Sequence, residues 1–143
     1  MIKWNDTYKV GIGNIDSDHK KLFDIFFKIK NSNESGDVVE VITGIHELES
    51  YTNYHFSREE AIMVASEYKD YKIHKVSHDH FKHIIDCTVS LLMEDINYVN
   101  IGVLIGRLED WLISHILKAD MRYTICFHEF FRSEFISESC VTA

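Results

Sequence analysis

The sequence predicts an all-α protein: an up-down-up-down antiparallel four-helix bundle with an extended N-terminal arm and a short C-terminal helical extension. Three kinds of observation point there. The 143 residues contain no proline and only six glycines, so long uninterrupted helices are permitted and turn-rich β architectures are disfavoured. Apolar residues return at three-and-four spacing in four separate segments. The connections between those segments are short, which makes successive helices antiparallel neighbours.

Residues 1–15 contain Gly11 and Gly13 and show no strong helical pattern, so they read as an extended arm packed through Trp4, Tyr8, Val10 and Ile12. The first helix starts near Asp16 or Ser17, either of which suits an N-cap, and places His19, Leu22, Phe23, Phe26 and Ile29 on one stripe. The polar run Asn31 to Gly36 stops it. The second helix, from about Asp37 to Ala65, aligns Val41, Ile45, Leu48, Thr52, His55, Glu59 and Ile62. After a polar stretch around Glu67 to Lys72, the third aligns His74, His78, Phe81, Ile85, Thr88 and Leu92 and ends near Glu94 and Asp95. The fourth begins near Asn100 and carries Ile101, Leu104, Leu108, Leu112, His115 and Ala119 in register. Beyond Tyr123, Phe127, Phe130, Phe131 and Phe135 suggest a short extra amphipathic helix before a polar tail. The bundle and its arm are assigned to residues 1–123, and the extension, part of the same domain or a flexible tail, to residues 124–143.

The formal charge of -8, from 15 basic and 23 acidic residues, argues against a nucleic-acid partner, which requires a concentrated Lys/Arg surface. Lys20, Lys21, Lys28 and Lys30 are spread along one amphipathic segment and read as a solvated helix face. Cys87, Cys126 and Cys140 form neither a C-x-x-C pair nor an even disulfide framework, so a reducing cytoplasm is the simplest home. The first residues lack a signal-peptide core, and no run approaches the roughly 18 apolar residues of a membrane span. A cytoplasmic protein without a membrane partner is expected; the sequence says nothing of protein partners or oligomeric state.

Chemistry concentrates in the histidines and two acidic residues. His55 and Glu59, and His74 and His78, sit four apart, about 6 Å along one helix face, so each pair can point into the same small volume. His19 and His115 continue the apolar stripes of their own helices. With Asp120, five imidazoles and two carboxylates are available, too many for one tetrahedral zinc, whose structural sites use four ligands. Seven such groups suit two metal ions of intermediate hardness, with iron the leading candidate. His115 and Asp120 fit least well: five residues at about 100° each leave them about 140° apart around a helix axis. Either the helix is locally distorted, or Asp120 approaches from another side. Ferritin-like bundles use a carboxylate from each of two helices and Glu-x-x-His from the others, an arrangement absent here. With imidazoles outnumbering carboxylates, the more reduced metal is favoured, and reversible ligand binding over oxygen activation.

The strings Trp4-x-x-x-Tyr8-x-Val10-Gly11-Ile12, Ile15-Asp16-x-x-His19, His55-Phe56-x-x-Glu59-Glu60-x-x-Met63, His74-x-x-x-His78-x-x-Phe81 and Trp111-Leu112-x-x-His115-Ile116-x-x-x-Asp120-x-x-Tyr123 resemble the hemerythrin family, specifically its bacterial members. The resemblance covers residues 4 to 123 in order and implies a non-haem di-iron centre. It implies that His74, His78 and His115 hold one iron and His19 and His55 the other, with Glu59, Asp120 and an oxo or hydroxo group bridging. One iron then keeps an open position, where the family binds dioxygen. Phe56, Trp111, Leu112 and Ile116 flank ligands in these motifs and are placed to form an apolar oxygen pocket that keeps out water. Many relatives carry a proline before the third helix, where this chain has Tyr71-Lys72, a departure that touches no ligand.

A single histidine on an apolar face is more often a hydrogen-bonded core residue than a ligand. Burying all seven groups without metal would instead leave many polar atoms unsatisfied at about 1 to 3 kcal/mol each. His46, His80, His83 and His128 match no ligand position and read as surface groups or as groups supporting a ligand; Glu60, next to a ligand, is expected to face a neighbouring helix or solvent, with a hydrogen bond to a ligand as the alternative. The expectation is an oxygen carrier, store or delivery protein, or an oxygen sensor. The alternatives are a di-iron enzyme reducing peroxide or nitric oxide, and a bundle that stores iron or binds another metal.

Overall fold

A computed structural model describes residues 3–94 and 100–141, with side chains as far as Arg132. Among these residues every regular element is helical: a 3-10 turn at Asp6–Tyr8, then α1 (Gly13–Glu34), α2 (Val38–Ala65), α3 (Tyr71–Glu94) and α4 (Ile101–His115). A π-helical turn, Ile116–Asp120, joins α4 directly to α5 (Met121–Val141), so the three form one continuous rod, the fourth helix of the bundle. α1 packs on α2 and α4, and α3 packs on α2 and α4, which closes the ring of four.

Side-chain caps set two of the helix starts. Asp37 accepts the Glu40 N–H at the head of α2, and Asn100 accepts that of Val103 at the head of α4. The arm departs from the sequence expectation, because α1 begins at Gly13 rather than near Asp16. Asp16 is not the cap. From inside the first turn it accepts the Val10 N–H at 2.7 Å and the Gly11 N–H at 3.3 Å, tying the arm to the helix start. Gly11 makes the bend at φ 85°, a region that favours glycine. The arm is therefore a short helical turn and a clasp, with Val10 buried and its carbonyl accepting from His128 of α5.

The C-terminal expectation also changes. The extension is not a separate short helix but the continuation of the fourth rod to Val141. Phe127 and Phe131 form a tilted pair with ring centroids 4.7 Å apart, and Phe131 stays exposed; Phe135 and Cys140 lie outside the residues whose side chains are described.

Two ends of the bundle differ in character. One is a dry core of Phe26, Ile29, Val41, Ile45, Leu92 and Ile105. There Gly44 lets α1 and α2 approach closely, since a Cβ on it would lie 2.5 Å from Ile29 Cγ1. The other end buries His19, His55, Glu59, His74, His78, His115 and Asp120. Among the described residues no helix is long and apolar enough to cross a membrane.

Candidate metal centre

The structure brings the seven sequence-predicted donors into two overlapping clusters. One contains His74, His78, His115, Glu59 and Asp120; the other contains His19, His55, Glu59 and Asp120. In the first, the Nε2 atoms of His74, His78 and His115 form a triangle with sides of 3.0, 3.1 and 3.0 Å. In the second, His19 Nε2 lies 3.2 Å from Asp120 Oδ2, and His55 Nε2 lies 3.4 Å from Glu59 Oε1. The shared carboxylates face both ways. Glu59 turns Oε2 to His78 at 3.2 Å and Oε1 to His55, while Asp120 turns Oδ1 to His74 at 3.1 Å and Oδ2 to His19.

The π-helical turn resolves the conflict between His115 and Asp120. An i→i+5 turn takes up one more residue than an α-helical turn. Asp120 Oδ1 thereby comes to 3.0 Å from His115 Nε2, although the two are five residues apart. Of the two possibilities open from the sequence, local distortion of the helix is the one observed.

A layer of partners holds the imidazoles. His55 Nδ1 donates to Asp18 Oδ2 at 3.1 Å, and Asp18 also accepts from Tyr51 Oη at 3.0 Å and Arg58 Nη1 at 3.3 Å. His78 Nδ1 donates to Glu60 Oε1 at 3.1 Å, and Ser77 Oγ pairs with His115 Nδ1 at 3.2 Å. Tyr123 Oη donates to Glu59 Oε1 at 2.7 Å. Such partners fix which ring nitrogen keeps its proton and which offers a lone pair. Sequence reasoning missed Asp18 and Ser77; Glu60 turns to the neighbouring α3 and takes the alternative left open for it, a hydrogen bond to the candidate ligand His78. Each is one residue from a candidate donor or in mid-helix, where spacing does not separate it from an ordinary surface polar residue such as Asp24.

Without metal, charge is distributed unevenly over the cluster. Burial works against the charged form of His55, but Glu59 and Asp18 outweigh it and push its pKa up to about 10. His19 is likewise raised despite burial, by Asp120 and Glu59. His78 goes the other way, lowered by burial and by its neighbours His115 and His74. Burial also opposes ionisation of Glu59, yet His55, His19 and His78 hold it well below the usual carboxylate range. Asp120, though buried and near Glu59, is held low by His115 and His19. Burial and the two carboxylates push the Tyr123 hydroxyl far up, so it stays a donor.

Apolar rings line the same volume. Phe56 stacks on His78 at 3.9 Å and 6°, and Trp111 stacks on His115 at 4.5 Å and 12°. Phe56, Leu112 and Ile116 are buried, and Trp111 is half-buried. Leu112 leans toward α1, sharing a small cavity with Phe23, Phe26 and Ile113. His46, His80, His83 and His128 all stay exposed, as expected.

The donor set fits cations and fits nothing else nearby. With Nδ1 of His78 committed to a carboxylate, its Nε2 is a lone pair aimed at two other Nε2 atoms. Both nitrogens of His19, Glu59 Oε2 and both oxygens of Asp120 are buried without a hydrogen-bond partner. Buried orphans of this kind are costly unless a cation satisfies them. Five imidazoles and two carboxylates also exceed the four ligands that one structural zinc takes.

Fold and site together define a four-helix bundle whose core buries two overlapping groups of histidines and carboxylates suited to binding cations. The chain belongs to the hemerythrin family: residues 10–124 match the family model described as the hemerythrin HHE cation binding domain. It is 32% identical over 130 residues to a bacteriohemerythrin of Clostridium acetobutylicum, covering 86% of this chain and 98% of that protein. It is 29% identical over 120 residues to hemerythrin subunit 1 of Golfingia vulgaris, covering 84% and 88%. A crystal structure of a hemerythrin variant with one leucine-to-tyrosine change superposes with a TM-score of 0.80 at 26% identity, covering 89% of this chain and 97% of that one. The family's cofactor is a non-haem di-iron centre, and the histidine and carboxylate cluster suits one.

Proposed function

We propose that this protein binds dioxygen reversibly at a di-iron site and serves as a carrier, store or delivery agent for it. In this reading His74, His78 and His115 hold one iron, His19 and His55 hold the other, and Glu59 and Asp120 bridge them. The observation that carries it is the pair of shared carboxylates, each turning one oxygen to the three-histidine cluster and one to the two-histidine cluster. The second cluster has one donor fewer than the first, which leaves a position there for a small ligand.

An iron pair held by these residues would supply electrons to bound oxygen and take them back on its release. The chain's own residues govern everything around it. Tyr123 donates to Glu59 and keeps that oxygen oriented. Asp18 fixes His55 with its lone pair on Nε2 and its proton on Nδ1. Phe56, Trp111, Leu112 and Ile116 keep water and outside anions from the bound ligand. The test is anaerobic reduction of the purified protein, iron analysis, then optical titration with oxygen followed by its removal. Reversible appearance of an oxygen-dependent absorption band supports carriage. A band that never forms defeats it, and consumption of oxygen or peroxide over many cycles makes the protein an enzyme instead.

A further inference from the structure

The two clusters differ in the charge placed behind their imidazoles. Each has one histidine whose Nδ1 donates to a carboxylate: His55 to Asp18, and His78 to Glu60. Asp18 is buried, and its charge is met by Arg58 at 3.3 Å and by the Tyr51 hydroxyl at 3.0 Å. Glu60 has no such counterpart. Among the described residues no Lys or Arg nitrogen lies within 4 Å of its carboxylate, and Lys75, the cation that feels its charge, is hydrogen-bonded to Asp79 at 3.1 Å.

Among the described residues the other three imidazoles, of His19, His74 and His115, meet the shared carboxylates through Nε2 and pair no carboxylate with Nδ1. His115 has the neutral Ser77, and neither nitrogen of His19 has a hydrogen-bond partner. A carboxylate accepting from a ligand imidazole makes that imidazole a stronger donor and adds negative charge close to the metal. Only 17% of the Glu60 side chain is exposed, and His78 is fully buried, so solvent screens this charge weakly.

We propose that Glu60 is a positioning residue that supplies the three-histidine cluster with an uncompensated negative charge, favouring the oxidised iron there, while Arg58 cancels the equivalent charge of Asp18 behind the two-histidine cluster. This rests on the di-iron reading above. It also revises what ligand counting implied, because the five imidazoles are not all neutral in effect. Arg58 offsets the outer carboxylate behind the two-histidine cluster, and among the described residues no Lys or Arg within 4 Å offsets the one behind the three-histidine cluster.

The consequence is a pair of substitutions with opposite signs. Glu60→Gln keeps an oxygen that can accept from His78 Nδ1 and removes the charge. Arg58→Gln leaves Asp18 on His55 and unmasks its charge. The test loads wild type and both variants with iron, counts iron per chain, and titrates the oxidised protein with a one-electron reductant through mediators, following the optical band of the ferric pair. Each ferric ion takes one electron and becomes ferrous. At a fixed potential, Glu60→Gln should shift the reduced-to-oxidised ratio about tenfold toward reduced, and Arg58→Gln should shift it severalfold toward oxidised. A loosened fold would move both in the same direction. Iron-loaded variants whose potentials stay at the wild-type value, or move together, overturn the inference and leave the di-iron reading intact. Wild-type protein that holds no iron pair overturns both.

Discussion

The two halves of the metal cluster are made from different materials. The three-histidine half comes from α3 and α4, with Glu60 on His78, a neutral serine on His115, and aromatic rings stacked on His78 and His115. The two-histidine half comes from α1 and α2 and is held by Asp18, Arg58 and Tyr51, with Trp4 of the arm near His19. The first is crowded with donors and its His78 resists protonation; the second has fewer donors and its histidines attract protons. A crowded half suits a structural role and a sparse half leaves space for a ligand. The difference is built by outer partners as much as by the ligands themselves.

The largest effect should come from removing what the halves share. Asp120→Ala takes one oxygen from each half, and iron per chain should fall from about two to below one at concentrations that saturate wild type. Removing Ser77 should do far less, since it supports only His115. Metal analysis after desalting measures both. If Asp120→Ala retains both irons, the halves are independent sites and the shared-carboxylate picture is wrong.

Acid should separate the halves next. Histidine donates to a metal only when the coordinating nitrogen is unprotonated, so a raised pKa means stronger competition from protons. His19 and His55 are raised, His55 to about 10, and His78 is lowered from 6.5, so as pH falls from about 10 toward 6.5 protons should weaken the two-histidine half first. Ferrous binding isotherms should then split into two steps. The sign is opposite for the metal-free chain. His55 has its folded-state pKa pushed up to about 10 from 6.5, so its contribution to stability is full below 6.5 and is lost as pH rises toward 10. Simultaneous loss of both irons on acidification would show that the halves do not differ in this way.

Much of this contrast was legible in the sequence, for a definite reason. Helical periodicity reports which face of a segment is buried, so donors that continue an apolar stripe, such as His55 and His78, are visible from spacing alone. Spacing also exposed the mismatch of His115 and Asp120, though not its resolution, because the π-helical turn depends on packing around the site. Of the outer partners, Asp18 was hidden and Glu60 was open between several placements. Asp18 and Glu60 each lie next to a donor in sequence but 100° round the helix, where surface acids are common. What marks them is the ring nitrogen they face, which only the assembled bundle supplies. The arm and the length of α5 were misread for a similar reason: Asp16 and His128 act on backbone groups of the arm, leaving no periodic trace.

A smaller effect should follow from opening the apolar cover on the α1 side. Leu112 is buried at a small cavity it shares with Phe23, Phe26, Glu109 and Ile113, and Leu112→Ser would replace an apolar wall there with a hydroxyl. Iron content should stay near the wild-type value while the oxygenated form decays severalfold faster, read as loss of its absorption band under constant oxygen. An unchanged lifetime would move the water barrier to Phe56 and Ile116, away from the seam between α1 and α4.

The smallest effect should come from Tyr51→Phe, and it tests whether the two-histidine half is tuned separately. The substitution keeps the ring and removes one donor to Asp18, leaving His55 and Arg58 in place. Losing one hydrogen bond to a buried carboxylate should cost about 1 kcal/mol in denaturant unfolding of the metal-free protein. The carboxyl of Asp18 is below its ordinary value because His55, Tyr51 and Arg58 together overcome its burial, so its stabilisation is present above about pH 4 and is lost as pH falls through the lowered value. Tyr51→Phe should narrow that acid-side window, and the Tyr51 hydroxyl, pushed up to about 12 by burial and Asp18, takes no part at neutral pH. The three-histidine half has no contact with Tyr51, so its iron affinity should remain unchanged while that of the two-histidine half weakens by a few-fold. Equal weakening of both would mean that Asp18 acts through the shared carboxylates rather than through His55.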